Sequence, residues 1–80
     1  MRLDKYLKVS RIIKRRTVAN EACDAGRVLV NGKTARASYD VKVGDILEIG
    51  FGTRIFKAEV LNVLETVKKD DASALYKILE

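Results

Sequence analysis

At the centre of the chain, RVLVNGKTAR (27–36) sets Asn31-Gly32 between a β-branched run and a short return. A two-residue loop joining antiparallel strands needs positive φ at both central positions, which Gly adopts freely and Asn more readily than most residues. The pair therefore predicts a type I′ hairpin and fixes an antiparallel pairing in the middle of an 80-residue chain. A second turn signal, Gly44-Asp45 in SYDVKVGD (38–45), leads into ILEI (46–49). After Gly50 and Gly52, RIFKAEVLNVLE (54–65) is the longest strand candidate.

The segments before the hairpin read differently. RLDKYLKVSR (2–11) carries Leu3 and Leu7 at i,i+4 with Tyr6 beside them, a short amphipathic helix whose first turn contains Asp4. VSRIIKRR (9–16) is an irregular connection anchored by Ile12 and Ile13. A second helix follows, with Thr17 as its N-cap or Arg15 as an earlier start. Val18, Ala19, Ala22 and Cys23 form a narrow face of small residues, and Gly26 ends the helix. DASALYKIL (71–79) repeats apolar residues at 72, 75, 76 and 79 and reads as a closing helix capped by Asp71 or Ser73. The expected fold is α+β: two short N-terminal helices, a small, mostly antiparallel sheet and a short C-terminal helix, in a single domain of residues 1–80.

Catalytic chemistry has little material. The chain has no His, its single Cys23 has no base nearby in sequence and reads as a small buried hydrophobe, and no Gly-rich phosphate loop follows a strand. No cofactor or metal is expected. One cysteine cannot form an internal disulfide, no apolar run approaches the ~18 residues of a membrane span, and no signal-peptide pattern opens the sequence, so a cytoplasmic protein is expected.

Charge is the informative quantity. The net charge is +5, and residues 1–36 hold ten Lys/Arg against three acids while residues 37–80 hold six against eight. Arg2, Lys5, Lys8, Arg11 and Lys14 recur at every third residue, which on a helix spreads them over one broad side. Lys14, Arg15 and Arg16 stand just before the second helix, where the dipole disfavours cations. A docked phosphate would reverse that cost, so these seven, with Arg16 and Arg2 foremost, are the expected contacts to nucleic-acid phosphates. Arg27, Lys33 and Arg36 flank the hairpin and border the same face. Asp4 either orients Arg2 or Arg16 or merely suits its own helix. Tyr6 either packs in the core or stacks on a base.

In this order the motifs resemble the RNA-binding domain named after ribosomal protein S-four, the αL motif. Its pattern runs from a basic Ser-Arg pair through an alanine to G-x-V-x-V-N-G and V-x-x-G-D. Arg16, Ala19, Gly26, Val28, Val30, Asn31, Gly32, Val41, Gly44 and Asp45 stand at the matching places, over most of residues 1–50. Arg15 departs from it where Ser is usual. Within the family, MRLDKYLK and IKRRTVA are similar to small ribosome-associated factors. The resemblance implies binding to large-subunit rRNA and peptidyl-site tRNA on obstructed large ribosomal subunits, support of C-terminal alanine tailing by the partner RqcH, and a monomer away from membranes. Heat-shock-type ribosome recycling, a helix-turn-helix DNA-binding regulator and a protein-interaction module are the competing readings.

Overall fold

The computed structural model describes residues 1–79, with the backbone alone for Lys69. Its elements are α1 (Leu3–Val9), α2 (Arg16–Asp24), β1 (Val28–Val30), β2 (Lys33–Thr34), β3 (Ile46–Phe51), β4 (Arg54–Val60), a 3₁₀ helix (Lys69–Leu75) and β5 (Tyr76–Leu79). The strands form one sheet in the order β2-β1-β3-β4-β5, with every pair antiparallel. This is the expected α+β architecture.

The hairpin forms as its turn chemistry requires. Val30 pairs with Lys33 across Asn31-Gly32, whose φ angles are 53° and 85°. Asn31 is also stitched to the start of β3: its Oδ1 accepts the Ile46 N–H at 2.9 Å and its Nδ2 donates to Asp45 at 3.0 Å. At the other side of β1, α2 ends in a Schellman motif. The Gly26 N–H reaches the Cys23 carbonyl and the Arg27 N–H the Ala22 carbonyl, both at 3.0 Å, with Gly26 at φ 76°.

Strand periodicity then separates the two sheet faces. Val28, Val30, Leu47, Ile49, Ala58 and Val60 are buried on one side, against Leu3, Tyr6 and Leu7 of α1, Ala19 and Cys23 of α2, and Leu75. Opposite charges neighbour one another on the other side, where Glu48 pairs with Lys57 and Glu59 with Lys77. Tyr6 is wholly buried and its hydroxyl donates to the Leu75 carbonyl at 2.8 Å, so it serves the core and is closed to a base.

Several local expectations change. The second helix begins at Arg16 with Arg15 as its N-cap and no side-chain cap, so Thr17 lies inside the first turn. Val18 is 46% exposed and stands off the packing face. The first helix ends at Val9, and Arg11 turns the chain at φ 62°, so Arg11 and Lys14 are loop residues and do not continue a helical stripe. The longest strand stops at Val60. The closing helix stops at Leu75, and residues 76–79 form β5 along β4. Ala72 and Leu75, one 3₁₀ turn apart, face the core. From Tyr76 on, the free edge of β4 offers a ladder of backbone partners, and Tyr76 packs edge-on to Phe56 with ring centroids 6.0 Å apart.

Candidate nucleic-acid interface

The candidate interface centres on a buried acid. Asp4, on the first turn of α1, is 2% exposed. The α1 start is pinned to the 37–39 loop, with the Leu3 N–H donating to the Tyr39 carbonyl and the Asp4 N–H to that of Ala37. In that position the Asp4 carboxylate receives four hydrogen bonds. Arg2 donates through Nε at 3.2 Å and Nη2 at 3.3 Å, the Lys5 backbone N–H at 2.7 Å and Asn20 Nδ2 at 3.2 Å. Arg16 Nε lies 3.5 Å from its Oδ2. Burial alone would raise the Asp4 pKa, but the bonds from Arg2, Asn20 and Lys5 and the charge of Arg16 outweigh it and hold the carboxyl at about 2.

This answers how α2 tolerates cations at its start. Its own first turn contains no acid. Asp4 brings a carboxylate to that end from a different helix, offsetting both the dipole and the cations. Each bound arginine remains half-exposed, at 50% for Arg2 and 49% for Arg16. A guanidinium has five N–H donors, and the acid occupies two on Arg2 and faces Nε on Arg16. The remaining donors on each arginine are left for other acceptors, and a guanidinium can bind phosphate in a bidentate way.

The other candidate cations fall into separate places. Lys8, Arg11 and Lys14 line a cleft of about 270 Å³ with Glu65, Thr66 and Val67. Lys5 is engaged by Glu65, whose carboxyl that bond holds below its ordinary value. Arg15 is exposed at the N-cap. Arg27 borders a mostly apolar recess beside Val18 and Phe51, while its carbonyl accepts the Gly50 N–H. Lys33 and Arg36 line a different cleft, between the hairpin and the 35–39 loop. The structure thus joins Arg2 to Arg16, groups Lys8 with Arg11 and Lys14, and groups Lys33 with Arg36.

Sequence reading missed Asn20, which counts as outward and polar in a helical projection but turns in to Asp4. Its i,i+4 spacing from Arg16 is the signal that places both on one side of α2. Asp45, a turn residue and part of the V-x-x-G-D pattern in the sequence, also ties the hairpin to the facing loop. It is 7% exposed and accepts from Asn31, from the Tyr39 hydroxyl at 3.0 Å and from the Lys42 N–H at 2.9 Å.

Comparison with known proteins follows the same lines. A family model described as the S4 domain matches residues 1–47. The chain is 56% identical over 78 residues to the RQC P-site tRNA stabilizing factor of Halalkalibacterium halodurans, covering 98% of this chain and 89% of that one. It is 56% identical over 79 residues to the protein of the same name from Streptococcus pneumoniae, covering 99% and 90%. A trimeric structure of Vibrio cholerae heat shock protein 15 superposes with a TM-score of 0.91 at 26% identity, over 99% of this chain and 81% of that one. The chain belongs to the S4 domain family and, within it, to the family of the RQC P-site tRNA stabilizing factors.

Proposed function

We propose that this protein is a non-catalytic RNA-binding factor of ribosome-associated quality control, acting as one RNA-binding domain over residues 1–80. It holds peptidyl-site tRNA against large-subunit rRNA on obstructed large ribosomal subunits in the cytoplasm. There it acts as a monomer, with no membrane contact, and supports C-terminal alanine tailing by RqcH. The observation that carries the reading is the Arg2–Asp4–Arg16 cluster at the start of α2, in a chain 56% identical to RQC P-site tRNA stabilizing factors.

The proposed chemistry is positional. Arg2 and Arg16 take phosphate oxygens with donors that Asp4 has already oriented, so less side-chain freedom is lost on binding. Lys8, Arg11, Lys14 and Arg15 add charge beside them, and with cations toward two RNA backbones the protein lowers their mutual repulsion. Recognition is by backbone and shape, as for most structured RNA. Each phosphate neutralised releases counterions, so binding falls steeply with salt.

The test is sedimentation of the tagged protein in lysate gradients at low and moderate salt, wild type beside Arg16→Ala, with blots for tRNA. Wild type should travel with large subunits that carry peptidyl-tRNA. Arg16→Ala should lose about 1.5–3 kcal/mol of binding, the range for hydrogen bonds to charged groups, while keeping its melting transition. Both proteins remaining at the top of the gradient would refute the ribosomal reading.

A further inference from the structure

The cleft that holds Lys33 and Arg36 has features that the Arg2–Arg16 cluster does not explain. It has a volume of about 680 Å³, and Val30, Ala35 and Tyr39 contribute to its walls. Val30 and Ala35 are buried, and Tyr39 is half-buried. The opening carries Lys33 and Arg36, both exposed and neither paired with a carboxylate among the described residues. The half-buried ring of Tyr39, beside Asn31, Thr34 and Ser38 and below two free cations, suits a ligand with a flat ring and an anionic group.

The walls are held in place from behind. Asn31 on the hairpin and Tyr39 on the facing loop both donate to Asp45, at 3.0 Å each. Those bonds and the Lys42 N–H occupy the Asp45 carboxylate, and Asp40 is taken by the Met1 amine. The Asp45 carboxylate is thereby turned to its donors, and the charge of exposed Asp40 is offset by the Met1 amine. The size falls within the ~300–1,000 Å³ usual for ligand sites.

We propose that this cleft is a nucleotide subsite, in which an unpaired base lies against the ring of Tyr39 while its phosphate meets Lys33 and Arg36. Bases stack on aromatic side chains with little dependence on sequence, and unpaired residues are where proteins reach RNA bases at all. The inference rests on the RNA-binding reading above and deepens it. Backbone contacts at Arg2 and Arg16 set affinity, and the cleft selects RNA that presents an unpaired nucleotide.

The experiment is NMR titration of the ¹⁵N-labelled full chain with adenosine and cytidine 5′-monophosphates, with inorganic phosphate in parallel. The nucleotides should shift the backbone signals of residues 30–39, and phosphate alone should do so much less. A second arm measures an RNA hairpin with an open loop against a fully paired duplex. Lys33→Ala combined with Arg36→Ala replaces exposed side chains outside the Asp45 network, so the variant should fold. It should lower the hairpin-over-duplex preference about tenfold, as the phosphate anchor that holds the base in the cleft is lost. Nucleotide shifts that match those of phosphate, or that spread evenly over all basic surfaces, overturn the subsite. If Arg16→Ala abolishes ribosome binding while residues 30–39 ignore nucleotides, the subsite fails and the ribosomal function stands. Nucleotide shifts at 30–39 without any RNA or ribosome binding would instead make the cleft a site for free nucleotides and refute the ribosomal function.

Discussion

Replacing Asp4 by Asn sets two physical arguments against each other. The change removes an anion from a surface proposed to bind RNA and raises the net charge from +5 to +6. Charge counting alone therefore predicts tighter binding, by up to about 1 kcal/mol for a group interacting near solvent. The geometry predicts the reverse. In the native protein Asp4 fixes Arg2 through two hydrogen bonds and holds Arg16 Nε at 3.5 Å. Asn offers one carbonyl oxygen without charge, which releases both guanidiniums. Ordering a freed side chain on RNA costs about 0.5–1.5 kcal/mol each, or about 1–3 kcal/mol for the pair. Set against the electrostatic gain, Asp4→Asn should weaken RNA binding by up to about 2 kcal/mol, roughly 30-fold.

The same variant carries an internal check on the carboxylate. The folded pKa of Asp4 is depressed to about 2 from an ordinary 3.8, so its stabilisation is present above about pH 4 and lost as pH falls through about 2. At neutral pH that shift corresponds to ~2.5 kcal/mol at most, and about 1–2 kcal/mol once solvent screening of the half-exposed arginines is allowed for. Urea denaturation should show wild type and Asp4→Asn separated by that amount at pH 7 and converging toward pH 2. The binding assay is filter retention of a tRNA over a salt series, with Glu21→Gln beside it. Glu21 borders the same recess as Asp4 and Arg16 but has no ion pair among the described residues, so its loss should tighten binding slightly. If Asp4→Asn folds normally and binds tRNA as tightly as Glu21→Gln, the acid does not organise the arginines and the reasoning fails.

Two further outcomes concern the core behind the interface. Tyr6→Phe removes the buried bond to the Leu75 carbonyl, which also accepts from the Leu61 and Asn62 N–H groups. With those acceptances kept, the loss should be about 1 kcal/mol, with faster amide exchange confined to the 3₁₀ helix and β5. Cys23 is 2% exposed, and burial, followed by the nearby Asp4 and Asp24, pushes its thiol up to about 11. It should resist a thiol reagent at pH 8 in the native protein and react at once in urea; fast native labelling would show that α2 opens locally.

What the sequence made legible was decided within a few residues. Asn31-Gly32 carries its turn type in its own backbone freedom, and Gly26 ends α2 in the same way, so both turns stand where local chemistry puts them. The apolar spacing at 72, 75, 76 and 79 suits a helix as well as a 3₁₀ turn followed by a strand. The choice between them belongs to β4, whose free edge is distant in sequence and invisible in the spacing. The candidate site shows the same division. Its cations were legible because charge is a property of single residues. Their grouping was not, because the chain leaves the α1 stripe at Val9 and turns at Arg11. The cap of α2 was misplaced for a related reason. A search for a local acceptor stops at Thr17, but the negative charge at this helix start comes from Asp4, twelve residues before Arg16. Supplying that charge from α1 leaves the first turn of α2 without an acid of its own. Arg16 can then stand at an end the dipole disfavours, because the compensating carboxylate is buried beside it while half of its side chain stays open to solvent.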